Sequence, residues 1–203
     1  MSAIFLYGSL LHAPLLELVA GAPITPRPAT LAGHGVFWAG TESYPRIAES
    51  AGNIEGALIE HPEAVARLDF FEGGYGYSLK TVTVETEEGP LAALVYWPGE
   101  DVPAPGEPWS LDAWERAYGE MVLYAAEEAM AYYGEISATE LAQRMPGIRM
   151  RAHSRVLAKS ASPPPALGTL PSGSVETEVI RRPYTKFFSV REDDLRHPLF
   201  DGS

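Results

Sequence analysis

Glu72 is the residue whose type and surroundings most favour chemistry in this sequence. It lies near the end of a predicted helix, after Phe70 and Phe71 and before the glycine- and tyrosine-rich residues 73–77 (GGYGY). The helix dipole disfavours a carboxylate at a helix C-terminus, and aromatic neighbours raise the pKa of a carboxylate by desolvation. Both effects favour a general base or acid that works near neutral pH. The alternative is a solvent-facing glutamate that precedes a glycine cap.

The loop Tyr7-Gly8-Ser9-Leu10 is a second candidate site. It directly follows the strand-like apolar segment AIFLY at residues 3–7 and precedes the helical pattern of residues 13–20. One interpretation is an ordinary turn. The other is a loop whose main-chain N–H groups are free to hold an anion, since a glycine at position 8 permits a ligand to approach the backbone closely.

Other familiar catalytic and metal-binding motifs are absent from the sequence. The five histidines lie far apart without ligand-like spacing, so we expect no metal site. The absence of cysteine excludes disulfides, thiolate zinc sites and a cysteine nucleophile. The P-loop, dinucleotide and nucleophile-elbow motifs do not occur. A hydrolase that used Ser9 as nucleophile would need a histidine base, which no pattern indicates.

The composition is that of a globular protein, with 46% hydrophobic and 21% charged residues. A net charge of −12 repels phosphate backbones and anionic lipid, so we expect neither nucleic-acid nor membrane partners. No segment has the roughly 20 apolar residues of a transmembrane helix. The N-terminus lacks the basic region of a signal peptide, and we therefore expect a cytoplasmic protein.

The elements that must position these residues are strands interleaved with helices. The predicted strands are AIFLY, ATLAGHGVFWAG, SYPRIAES and NIEGALIEH, followed by a hairpin of TVTVE and LAALVYW around the turn EEGP. The segment HPEAVARLDFFEGG repeats apolar residues at helical spacing and ends at two glycines. Residues 98–110 are rich in proline and glycine and precede an amphipathic helix at 111–133, with Ser110 as its N-cap. ATELAQRM adds a short helix.

Several short motifs, in order over residues 4–97, resemble the γ-glutamylcyclotransferase-like superfamily, which includes the plant avirulence-induced-gene-like proteins. The matching segments are Phe5–Leu10 (FLYGSL), Ala29–His34 (ATLAGH), Tyr44–Ile47 (YPRI), Ile54–Ile59 (IEGALI) and Leu68–Gly73 (LDFFEG), followed by Tyr77 and Val82–Val84 (VTV). Each motif alone is weak, whereas their order makes the resemblance specific.

This resemblance implies an α+β fold, a small β-barrel or mixed sheet with helices around it. It also implies that the main chain of Tyr7–Leu10 binds the γ-glutamyl group of a small-molecule substrate. Glu72 would take a proton from the substrate α-amine as that amine attacks the γ-carbonyl. The products would be 5-oxoproline and a released amine, amino acid or peptide, and the reaction needs no metal or cofactor.

Tyr44, Tyr75 and Tyr77 are predicted to form an aromatic wall of the substrate pocket, the alternative being ordinary core packing. Their rings would exclude water while their hydroxyls contact a polar head group. Relatives often carry an arginine at the position of Leu79. We therefore expect neutral γ-glutamyl amines to compete well with γ-glutamyl amino acids.

The C-terminal half resembles segments that join such a domain to a Nudix hydrolase domain in bacterial proteins grouped with tellurite resistance and ADP-ribose pyrophosphatases. The Nudix box itself is absent. We predict a barrel domain at residues 1–100, a linker with packed helices at 101–145, and an extended segment at 146–203 that leads into a Nudix domain. The alternative function is a non-catalytic binding or dimerisation module of a Nudix enzyme, with a second copy of the chain as a partner.

Overall fold

Six strands form one mixed sheet in the computed structural model, which describes residues 3–161. The order is β3-β1-β5-β4-β2, and β2 pairs again with β3, so five strands close into a barrel while β6 lies at the edge of β2. The pair β1–β5 is parallel and the other pairs are antiparallel. The strands are β1 Ala3–Leu6, β2 Arg27–Ala39, β3 Pro45–Ile59, β4 Tyr77–Thr86, β5 Gly89–Pro98 and β6 Pro105–Pro108.

The short strand β1 is buried on both faces, which explains its uninterrupted apolar sequence. Ala3 and Phe5 belong to the core inside the barrel, whereas Ile4 and Leu6 belong to the core between the barrel and the helices. Successive side chains of a strand point to opposite faces, so one strand supplies both cores. The predicted α+β fold with a small barrel is confirmed.

The predicted hairpin is present, with β4 and β5 paired from Tyr77 opposite Pro98 to Thr86 opposite Gly89. The two strands predicted between residues 43 and 61 are instead one long strand, β3. Its pairing with β2 shifts between Ala32 and His34, on either side of Gly33. A bulge at this point bends the strand pair without ending it, so a sequence with several breaking residues still forms one strand.

The helices pack against the barrel through a core that includes Ile4, Leu6 and Ile59. They are a 3-10 turn Gly8–Leu11, α1 Ala13–Ala20, α2 Pro62–Gly74, α3 Leu111–Trp114, a π-helical turn Glu115–Gly119, α4 Glu120–Met130 and α5 Ala138–Ser160. The predicted helix at 111–133 is therefore interrupted by a π-helical turn. Ser110 caps α3 as expected, since its side chain accepts a hydrogen bond from the main-chain N–H of Ala113. No helix within residues 3–161 is long and apolar enough to cross a bilayer.

Helix α5 differs from the sequence-based prediction, which started an extended segment at residue 146. The helix continues through Pro146 and ends at Ser160. Leu141, Met145 and Ile148 are buried on one face of it. A proline inside a helix costs about 3 kcal/mol, whereas each fully buried side chain of this size contributes roughly 1.5–3 kcal/mol. Burial therefore outweighs the proline.

The basic side chains of α5 pair with the acidic side chains of α4, as in Arg151–Glu128 and Arg155–Glu127. These pairs are largely exposed and contribute little to stability. Residues 3–161 fall within one compact unit, which spans the positions predicted as boundaries after residues 100 and 145. The rest of the segment predicted at 146–203, with its approach to a Nudix domain, lies outside the described residues.

Candidate active site

One pocket opens between the end of β1, the start of β3, the end of α2 and the helices α3 and α4. It spans about 580 Å³ including its open mouth, of which about 40 Å³ can hold the centres of water-sized molecules. The first volume includes space that is open to solvent, and the second shows that the enclosed part of the pocket is narrow. Its lining residues are Phe5, Leu6, Tyr7, Ser9, Leu10, Ser43, Tyr44, Pro45, Phe71, Glu72, Tyr75, Tyr77, Tyr96, Trp114 and Val122.

Glu72 lies in the last turn of α2 and lines this pocket. Its side chain makes no hydrogen bond or ion pair with another residue between 3 and 161, and the residue is only partly exposed. Burial raises the pKa of Glu72 to about 8. Near neutral pH this carboxyl group therefore exists in both protonated and ionised forms, as a proton acceptor and donor requires.

The predicted loop Tyr7–Leu10 leaves β1 and enters the 3-10 turn beside Glu72. Tyr7, Ser9 and Leu10 line the pocket, whereas Gly8 does not. Gly8 has a φ of +71°, and a Cβ atom at this position would lie 2.5 Å from Cγ of Pro45. Only a residue without a side chain fits both the backbone and this close approach. Gly8 therefore shapes the loop instead of forming the pocket wall.

Three tyrosine hydroxyls of the pocket wall make hydrogen bonds within the protein. Tyr7 donates to the main-chain carbonyl of Tyr96 at 2.8 Å, and Tyr96 donates to Oδ1 of Asp69 at 2.7 Å. Tyr77 donates to the main-chain carbonyl of Pro45 at 2.7 Å. Burial raises the pKa of each of these phenols, so they stay protonated. Their hydroxyls hold the wall together.

Tyr44, Tyr75 and Tyr77 lie together, as the sequence analysis expected. The ring of Tyr44 is 5.2 Å from that of Tyr75 and 6.4 Å from that of Tyr77, in edge-to-face arrangements. Phe71 extends the group, with its ring 5.3 Å from that of Tyr75. Unlike Tyr77, Tyr44 and Tyr75 make no hydroxyl hydrogen bond within residues 3–161. These two hydroxyls are therefore available to a polar ligand.

Several pocket residues were not found from the sequence. Tyr96 lies in the strand LAALVYW, and Trp114 lies at the end of α3; both sequence patterns indicated core packing only. The indole N–H of Trp114, which is fully buried, donates to the main-chain carbonyl of Ser43 at 2.9 Å and so fixes one pocket wall. Leu79, which the sequence analysis connected with the choice of leaving group, does not line the pocket.

Arg149 was also missed, because its basic segment was predicted to be extended. Its guanidinium carbon lies 5.3 Å from the ring centre of Tyr44.

No cluster of three histidine, aspartate or glutamate side chains within the described part of the chain is placed to hold a metal ion.

Comparisons with solved structures place the chain beside several similar proteins. A gamma-glutamyl cyclotransferase is 19% identical, with 74% of this chain and 98% of that chain covered and a TM-score of 0.45. A protein from Arabidopsis thaliana is 21% identical, with 66% and 84% covered and a TM-score of 0.47. An AIG2-like protein from Mus musculus is 19% identical, with 54% and 88% covered and a TM-score of 0.40. No individually curated protein matches the chain.

The family assignment rests on the match to a family profile and not on these structural overlaps. The profile is described as gamma-glutamyl cyclotransferase, AIG2-like, and it matches residues 4–132. This span is more than half of the chain and contains the barrel from the second residue of β1 onward, the loop at Tyr7–Leu10, and Glu72. It ends before α5 begins at Ala138. The chain therefore belongs to the AIG2-like gamma-glutamyl cyclotransferase family.

Proposed function

We propose that this protein cyclises a γ-glutamyl amine, amino acid or peptide to 5-oxoproline, with Glu72 as the general base. The observation that carries the proposal is the environment of Glu72. Its carboxyl group lines a narrow pocket, has no protein partner within residues 3–161 and has a pKa raised by burial to about 8. A purely structural glutamate in such surroundings gains no interaction that offsets the cost of its burial.

In the proposed reaction the α-amine nitrogen attacks the γ-carbonyl carbon of the same molecule and forms a five-membered ring. Glu72 accepts the proton that this nitrogen loses. The same carboxyl group then donates the proton to the leaving nitrogen as the bond between that nitrogen and the γ-carbon breaks. The reacting groups belong to one molecule, so holding it in a folded conformation supplies much of the rate.

The loop Tyr7–Leu10 is suited to hold the γ-glutamyl portion of the substrate. Tyr7, Ser9 and Leu10 line the same pocket as Glu72, and the 3-10 turn Gly8–Leu11 starts without a side chain that caps its first N–H groups. Such N–H groups bind carboxylate oxygens. The rings of Tyr75 and Phe71 would shield the reacting atoms from water.

The test is release of 5-oxoproline from a panel of γ-glutamyl amines, amino acids and peptides by the wild-type protein, Glu72→Gln and Glu63→Gln. Glu63 is a matched control because it lies on the same helix and is exposed. We expect Glu72→Gln to lose roughly 10²–10⁴-fold in kcat and Glu63→Gln to keep the wild-type rate.

Two outcomes would count against this proposal. Unchanged product release by Glu72→Gln would show that Glu72 is not the base. Failure of the wild-type protein to convert any panel member would favour the alternative of a non-catalytic binding or dimerisation module of a Nudix enzyme.

A further inference from the structure

The cationic side chain of Arg149 lies beside the pocket wall. It belongs to a part of the chain that the family profile does not match. Arg149 is on α5, whereas the family match ends at residue 132. Its Nη2 atom donates to Oγ of Ser43 at 3.2 Å, and its guanidinium carbon lies 5.3 Å from the ring centre of Tyr44. Ser43 and Tyr44 both line the pocket. The extension therefore brings a second positive charge to the pocket, on the side of Tyr44, in addition to Arg46 of β3, whose charge acts on Tyr7 and Tyr77.

Arg149 keeps part of its capacity to bind a ligand. Nη2 also donates to Oε2 of Glu42 at 2.6 Å, and this ion pair is partly exposed, with 28% of the arginine side chain and 33% of the glutamate side chain accessible. A guanidinium has five N–H donors. Within residues 3–161, only Nη2 of Arg149 makes hydrogen bonds. The remaining donors on Nε and Nη1 are therefore available to a second carboxylate.

The positive charge of Arg149 also affects the pKa values of two tyrosines of the pocket. Burial raises the pKa of Tyr75, and the nearby Arg149 opposes that rise, as it does for Tyr44. Both tyrosines are partly exposed, and their hydroxyls have no hydrogen-bond partner within the described residues. The hydroxyls of Tyr44 and Tyr75 and the guanidinium of Arg149 are thus polar groups without a full set of partners on the partly exposed side of the pocket.

We propose that Arg149 selects γ-glutamyl substrates whose leaving group carries a carboxylate, such as γ-glutamyl amino acids, over neutral γ-glutamyl amines. This inference rests on the proposed cyclotransferase function. Under the proposed function the γ-glutamyl portion lies at Glu72 and the Tyr7–Leu10 loop, and a leaving group on the Tyr44 side of the same pocket comes within reach of the arginine beside that ring. A carboxylate there meets an arginine, whose planar donors match its two oxygens. This proposal differs from the expectation based on Leu79, which was that neutral γ-glutamyl amines compete well with γ-glutamyl amino acids.

The experiment compares γ-glutamylglycine with γ-glutamylglycinamide, which differ only by a carboxylate and a neutral amide. We measure kcat/KM for both with the wild-type protein, Arg149→Gln and Glu42→Gln. We expect the wild type to prefer the acid about tenfold, equivalent to about 1.4 kcal/mol, and Arg149→Gln to lose this preference. Glu42→Gln keeps the arginine and removes its competing carboxylate, so its preference for the acid should equal or exceed that of the wild type.

The Glu42 variant separates recognition from structural support. If Arg149 only fastens α5 to the loop at Glu42 and Ser43, both variants lower kcat/KM equally for the two substrates, and the inference is wrong. If the wild type cyclises both substrates equally well, the inference is also wrong while the proposed function stands.

If the wild type cyclises neither substrate, the proposed function fails, and dissociation constants measured by calorimetry for the same pair decide the inference. Tighter binding of γ-glutamylglycine that requires Arg149 supports it. Equal binding, or no binding of either compound, overturns it.

Discussion

The hydroxyl of Tyr7 donates a 2.8 Å hydrogen bond to the main-chain carbonyl of Tyr96. This bond joins the residue that follows β1 to the neighbouring parallel strand β5 inside the pocket wall. The hydroxyl of Tyr96 in turn donates to Asp69 on α2, three residues before Glu72. The loop, the barrel and the helix that carries Glu72 are thus connected by two hydrogen bonds.

Tyr7→Phe should destabilise the protein by about 1–2 kcal/mol, because it leaves a buried carbonyl without a donor. Urea unfolding measures this loss. Tyr124→Phe is the control, since it removes a hydrogen bond to Glu120 that is exposed. We expect the control to change the free energy of unfolding by less than about 0.5 kcal/mol. Equal losses in the two variants would contradict a structural role for the Tyr7 hydroxyl.

Gly8→Ala should destabilise the protein more than Gly33→Ala. Both glycines have a positive φ, +71° and +73°, but only Gly8 faces a neighbour, since nothing lies within 4 Å of a Cβ at Gly33. The backbone strain costs about 1–2 kcal/mol in each variant. The clash with Pro45 should add about 1–3 kcal/mol for Gly8→Ala, as measured by urea unfolding. Similar losses would show that Pro45 moves aside at little cost.

The pH dependence of catalysis should reflect the raised pKa of Glu72. A general base must be ionised, so kcat/KM should rise about tenfold per pH unit below pH 8 and level off above it. Titration of the substrate α-amine alone identifies its separate contribution to the profile. A kcat/KM that is constant between pH 6 and pH 8 would contradict the assignment of Glu72 as base.

Glu72→Gln should stabilise the folded protein at pH 8 and leave its stability nearly unchanged at pH 4. The folded-state pKa is raised from 4.5 to about 8, so the folded protein holds a proton that the unfolded chain releases between these values. The contribution of Glu72 to stability is therefore largest below pH 4.5 and decreases as the pH rises toward 8. The neutral glutamine avoids this loss, which is on the order of a few kcal/mol.

Thermal unfolding of the wild type and Glu72→Gln at several pH values measures this difference. The Glu63→Gln variant, with its exposed glutamate on the same helix, should show no such pH-dependent gain. A gain for Glu72→Gln that does not depend on pH would mean that lost packing strain, and not ionisation, is responsible.

Much of the fold and of the candidate site could be predicted from the sequence, because short local patterns are sufficient to identify these elements and residues. Alternating apolar residues and the turn EEGP predict the β4–β5 hairpin, and Ser110 predicts the start of α3. Glu72 could be singled out because a carboxylate between aromatic residues at a helix end is locally unfavourable. All the predicted site residues except Gly8 line one pocket.

Only the tertiary structure determined which residues distant in sequence lie beside these locally predicted elements. Helix α5 passes through Pro146 because Leu141, Met145 and Ile148 are buried against the rest of the protein, and a local pattern does not show that burial. That continuation brings Arg149 to Ser43, more than a hundred positions earlier in the chain. The sequence determined the chemical types available, whereas packing determined that a carboxyl group without a partner lies in the pocket and that an arginine lies against the pocket wall at Ser43 and Tyr44. Burial energies summed over many residues outweigh a single local preference.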